Sequence, residues 1–177
     1  MSSSIPPVPR ENPFIGATYG QALRTLAKTF GAREALVFGG RRWTFADVLA
    51  EADRAAARLH ALGLRAGDKV AIWLPNRPEF LWYWLGAAQS GLVAVVLNTR
   101  LTPGEAEYQI GQSDSRAVIV PGDRGFRDFL GDVFALKPSA AITITVRGIV
   151  INLPPSLAVF AVFFSGRSFY AKSIPVE

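Results

Sequence analysis

Apolar positions along this chain fall alternately into short continuous runs and into stripes of helical spacing. The clearest stretch is residues 67–101, GDKVAIWLPNRPEFLWYWLGAAQSGLVAVVLNTRL. Val70 to Leu74 is an apolar run behind a Gly67-Asp68 turn, Pro75 stops it, and Pro78 stands where a proline suits the first turn of a helix. Gly91 can close that helix, and Val93 to Leu97 forms a second apolar run. Strand, crossover and strand within about 30 residues predict a right-handed βαβ unit with parallel strands.

The same patterns extend to both sides. Tyr19, Leu23, Leu26, Ala27 and Phe30 lie on one helical stripe that Gly31 can terminate. Ala35 to Phe38 leads into Gly39-Gly40, a pair suited to the positive φ angles of a tight hairpin, and Arg42 to Thr44 returns. Thr44 is placed to cap a helix whose apolar face continues through Val48, Leu49, Ala52, Ala55, Ala56 and Leu59 to Gly63, with Asp47 adding negative charge to its first turn. Thr102-Pro103-Gly104-Glu105 reads as a capping box opening a helix toward Gln112. Ala117 to Val120 and Ile142 to Val146 read as strands, and Phe126, Phe129, Leu130, Val133 and Phe134 follow helical spacing. The alternation predicts an α/β fold, a partial three-layer sandwich with a largely parallel sheet. An architecture of this kind does not name a chemistry.

Composition narrows the function classes. The chain has 177 residues, half of them hydrophobic, enough for one domain with a core. Its net charge of +5 rests on 19 basic residues, 15 of them arginine, but these are scattered and only Arg41 and Arg42 are adjacent. Phosphate tracking needs clustered cations, so no nucleic-acid partner is expected. The absence of cysteine excludes disulfides and thiolate chemistry. His60, the single histidine, reads as an ordinary helix-surface residue beside Arg58, Leu59 and Ala61. Residues 1–17 read as a proline-punctuated arm without the apolar run of a signal peptide.

One resemblance is specific. The order GD, strand, LPN, PEF, small-residue helix end, AVVLN and TPGE is similar to the N-terminal portion of AMP-forming acyl-CoA synthetases, the adenylate-forming ligases. Upstream, VFGGRRWTFADVLAEADRAAARLHALGLRAGD carries the same likeness, which runs from about Thr18 to Val146. It implies the N-terminal subdomain of a ligase that joins a carboxylic or fatty acid to CoA. In such a ligase the carboxylate attacks the α-phosphate of ATP, and CoA then displaces AMP. ATP, Mg and CoA are implied for the full-length family. A cytoplasmic setting, with fatty acid metabolism as the context, belongs to the same expectation.

Family members cradle the polyphosphate with a Ser/Thr/Gly-rich loop ending in Pro-Lys-Gly. The nearest lookalike here, Ser165 to Lys172, contains Phe169 and Tyr170 where small residues are needed and has no threonine. No catalytic, cofactor-binding or metal-binding residue is therefore assigned, and no cofactor is expected for this chain. The expectation is a truncated or frame-disrupted ligase that is inactive as it stands. The alternative is a non-catalytic α/β binding module for a small anionic ligand or a partner protein.

Three further expectations concern particular residues. Asn98-Thr99-Arg100, at the end of a strand, is the remaining ligand candidate, although Asn98 equally suits a turn and Arg100 solvent. The helix run FLWYWL is apolar on two sides, and the Trp82 side is expected to leave an exposed patch through which the chain self-associates. The organisation predicted is an arm over 1–17, the adenylation-type unit over 18–147, and a divergent hydrophobic tail over 148–177. The tail holds one acidic residue, Glu177. Its uncharged stretch Gly148 to Phe164 is interrupted by Asn152 and Pro154-Pro155, which argues against a membrane span.

Overall fold

A computed structural model of the chain describes residues 14–122, 128, 129 and 132, and, as backbone, the strand segments 142–145, 148–150, 160–165 and 168–173. Three of its helices begin on the same device. Helix α1 (Tyr19–Phe30), α2 (Phe45–Ala61) and α4 (Pro103–Gln112) are each capped by a threonine, Thr18, Thr44 and Thr102, whose hydroxyl accepts the N–H of the third helical residue. That residue, Gln21, Asp47 or Glu105, reaches back to the threonine N–H. Helix α3 (Pro78–Gln89) starts instead on proline, with no side-chain cap.

Strands β1 (Glu34–Phe38) and β2 (Arg41–Thr44) form an antiparallel hairpin. Its turn is Gly39-Gly40, with φ of 57° and 77°, a left-handed pair that glycine adopts without steric cost. The main sheet is built on β3 (Lys69–Ile72), flanked in parallel by β4 (Val93–Val96) and β5 (Ser115–Val120). Strand β6 (Ile142–Thr145) adds in parallel to β5. Strands β7 (Gly148–Val150), β8 (Phe160–Ser165) and β9 (Ser168–Ser173) continue it antiparallel, so the order is β4-β3-β5-β6-β7-β8-β9. Of the run resembling a phosphate loop, Ser165 ends β8 and Ser168 to Lys172 belong to β9, with Ser165 paired antiparallel to Ser168.

The alternation of side chains along the central strands sorts them into two cores. Val70, Ile72, Leu74, Ala117 and Ile119 face one way and pack with Leu23 of α1, Val48, Ala52, Ala55 and Leu59 of α2, and Trp82, Tyr83, Leu85 and Ala87 of α3. Ala71, Trp73, Val118 and Val120 face the other way, onto Ala106 and Ile110 of α4 and onto Phe129. The result is three layers, helix, sheet and helix. Trp73 is fully buried and meets Phe129 edge to face at 5.2 Å. The helix expected around Phe126 to Phe134 lies largely outside the described residues, though Asp132 N–H bonds Asp128 O at 3.0 Å in a helical turn.

Between α2 and α3 the backbones come close because Gly86 has no side chain. A Cβ there would stand 2.9 Å from Ala55 Cβ and from Ala56 N, and 3.0 Å from Ala52 O. Small residues on both helices let the crossover helix of the βαβ unit lie flat on α2.

Candidate functional site

In open α/β sheets, ligands collect outside the carboxyl ends of the strands, where successive connections leave on opposite faces. Strand β3 continues through Pro75-Asn76-Arg77 into α3 on the first face, whereas Phe129, which follows β5, packs on the second. Beside the β3 exit a cavity of about 630 Å³ opens between the β1–β2 hairpin, α2 and the first turn of α3. Its apolar wall is Phe38, Trp43 and Trp82, and its charged groups are Arg41, Arg58, Arg77, Glu51 and Glu79.

The charges are largely arranged in pairs. Arg77 forks onto Glu79, Nε to Oε2 at 2.9 Å and Nη2 to Oε1 at 3.2 Å. Glu51 binds Arg54 at 2.7 Å, which holds the arginine charged still more firmly through that hydrogen bond. Arg41 lies over the Trp43 ring, 4.9 Å from its centroid, a cation–π contact. Burial raises the Tyr83 hydroxyl above its ordinary pKa, and a hydrogen bond from Arg58 partly opposes that shift. Among the described residues, Arg41 and Arg58 are therefore the cavity cations held by an aromatic ring and a phenol instead of by a carboxylate.

The residues singled out from sequence are not brought together here. Asn98 Oδ1 accepts the Arg100 N–H at 2.9 Å, and Asn98 O accepts Trp73 Nε1–H at 3.1 Å, so this asparagine closes the turn after β4. Arg100 is exposed, and His60 is exposed on the last turn of α2. Trp82 requires a correction. It is only 8 % exposed, because Trp43 of β2 covers it edge to face, and the exposed apolar group that lines the same cavity is Phe38 of the hairpin. A helical wheel shows that α3 is apolar on two sides, but not that the hairpin folds back over the second.

No sequence motif marks the cavity. Its available signal was the cluster of arginines and aromatics in the separate runs Phe38 to Trp43 and Arg77 to Trp82. Among the described residues there is no group of acidic or histidine side chains that could hold a metal, and no helix long and apolar enough to cross a membrane.

Comparison with known proteins places this arrangement. The profile of the AMP-binding enzyme family matches residues 23–153, and the chain belongs to that family of adenylate-forming ligases. It is similar to acyl-CoA ligase sidI of Aspergillus fumigatus, 37 % identical over 105 residues that make up 58 % of this chain and 18 % of that protein. Its fold is similar to the anthranilate CoA ligase AuaEII in complex with anthranoyl-AMP, with a TM-score of 0.65, 26 % identity, and coverage of 71 % of this chain and 24 % of the other. It is also similar to the o-succinylbenzoate CoA synthetase of Bacillus subtilis in complex with ATP and magnesium, with a TM-score of 0.56 and 33 % identity over 56 % of this chain and 27 % of the other. The chain spans about a fifth of the length of the curated relatives it matches.

Proposed function

We propose that this chain is the N-terminal scaffold of an acid–CoA ligase and does not by itself form an acyl-adenylate. The parent reaction joins a carboxylic or fatty acid to CoA at the expense of ATP, releasing AMP and pyrophosphate, with Mg on the nucleotide. The family match over residues 23–153 carries this reading. The hairpin, α2 and the βαβ unit would together orient neighbouring parts of the catalytic domain, since the cavity arginines Arg77, Arg41 and Arg58 are engaged with Glu79, Trp43 and Tyr83. Charge developing on the transferred phosphoryl group needs preorganised donors, and losing one typically costs about a hundredfold or more in rate. The sequence holds no Ser/Thr/Gly-rich loop ending in Pro-Lys-Gly to supply them. A cytoplasmic setting, where ATP and CoA are at hand, goes with this reading. The test is acid-dependent exchange of labelled pyrophosphate into ATP by the purified chain. No exchange is expected, and exchange that depends on a fatty or aryl acid would overturn the proposal.

A second reading is favoured by the cavity. Arg41 and Arg58, which among the described residues meet an aromatic ring and a phenol, stand beside an aromatic wall and suit a small organic anion bound without catalysis. Titration with benzoate and with pyrophosphate, followed by the indole N–H resonances of Trp43 and Trp82, tests it. Saturable shifts that Arg41→Ala abolishes support this reading, and unmoved resonances exclude it.

A further inference from the structure

Strand β4 is the outer strand of the main sheet, and among the described residues nothing pairs with its free side. Val93 N–H donates to Asp68 O at 2.9 Å and Leu97 N–H to Ile72 O at 3.0 Å, which turns these two residues' backbone groups toward β3. Because such groups alternate along a strand, Ala94 and Val96 present theirs to the open edge. Natural edges are usually blunted by a charge, a proline or a bulge. Val93-Ala94-Val95-Val96 has no charge and no proline, and its register with β3 is unbroken. Val93 is 48 % exposed and Val96 51 %.

We propose that this edge pairs with the same edge of a second copy of the chain, extending the sheet across a two-fold axis. A strand that pairs antiparallel with its own copy is isologous and closes at a dimer. With the axis through Val95, Ala94 of one copy faces Val96 of the other, and the four outward-facing N–H and four C=O groups bond across the seam without any shift of register.

The flank of the strand fits the same axis. Tyr108 of α4, 65 % exposed, lines a shallow groove of about 460 Å³ with Val95, Gln109, Gln112 and Ser113. A two-fold axis perpendicular to the sheet keeps both α4 helices on one face, bringing the two Tyr108 side chains together over the paired Val95 residues. Neither the strand nor the groove carries a charge, so the pairing sets no like charges of the strand or groove face to face, although each chain has a net charge of +5. This pairing does not depend on whether the chain adenylates.

The full chain should show a monomer–dimer equilibrium in analytical ultracentrifugation. In the concentrated sample the amides of Ala94 and Val96 should exchange with solvent at least about tenfold more slowly than in the dilute one. Val96→Lys and Tyr108→Glu, both at exposed positions, should each return the chain to monomer. If the lysine variant fails to fold, the glutamate variant on α4 carries the test. A chain that stays monomeric at every concentration would overturn the proposal. So would a dimer in which exchange at Ala94 and Val96 does not change with concentration, or one that both variants leave intact.

Discussion

Trp43 of the hairpin and Trp82 of α3 meet edge to face, their ring centroids 5.8 Å apart and their planes at 63°. This contact joins the two-stranded hairpin to the βαβ unit, and it roofs the cavity beside β3. A two-stranded hairpin is marginal by itself in water, so its order depends on such cover. Replacing either tryptophan with alanine should cost about 3 to 5 kcal/mol, the range for deleting a buried large aromatic. The double variant should cost less than the sum, with a coupling of about 0.5 to 1.5 kcal/mol for the aromatic pair. Urea unfolding of the four proteins measures the cycle, and strictly additive losses would show that the rings do not support one another.

The α2–α3 contact makes a prediction of opposite sign to helix propensity. Alanine is favoured over glycine in a helix by about 1 kcal/mol. At Gly86 the added methyl would press on backbone atoms of Ala56 and Ala52, which cannot swing aside as a side chain would. Gly86→Ala should therefore destabilise by about 1 to 3 kcal/mol, the cost of overpacking. Gly104, in the first turn of α4, has no atom within 4 Å of a built Cβ, and there the same change should be neutral or stabilising. Equal midpoint shifts for the two variants in thermal unfolding would rule out the close approach.

The elements were legible where one residue type had one physical reason to stand in place. Thr44 and Thr102 announced helix starts because a hydroxyl can accept an orphan N–H, and Gly39-Gly40 announced the hairpin because two successive positive φ angles suit glycine. The βαβ unit was legible from Val70 to Leu97 because its strands are apolar on both faces. What sequence withheld was tertiary. Nothing local in Trp82 says that Trp43 will cover it, and the arginines around the cavity find their partners across separate elements. The run from Gly148 onward read only as a divergent hydrophobic tail, and the strands described within it are defined by antiparallel pairing that begins on β6. Cap residues, by contrast, act within four positions, so their consequences can be followed into solution behaviour.

Asp47, Glu105 and Asp68 all have carboxyl pKa values below the ordinary carboxylate range, for one main reason. Each accepts a backbone N–H: Asp47 from Thr44 at 2.9 Å, Glu105 from Thr102 at 2.8 Å, and Asp68 from Arg65 at 2.8 Å. Asp68 also takes the Arg116 guanidinium at 2.7 Å, a smaller influence on its pKa. A depressed folded pKa means that the native state holds the proton less tightly than the unfolded chain does. Stability from these groups is thus fully present above the unfolded values near 3.8 and 4.5, and it is lost as pH falls through the lower folded values. Asp47→Asn and Glu105→Gln should be less stable than the parent at neutral pH and should converge with it in acid. Added salt should weaken the Arg116 share more than the N–H bonds, because an attraction between two full charges is screened by counterions more than a hydrogen bond to a neutral amide. Urea midpoints for parent and variants from neutral pH down to below the carboxylate range check the sign. A constant gap at every pH would mean that the carboxylates act by shape alone.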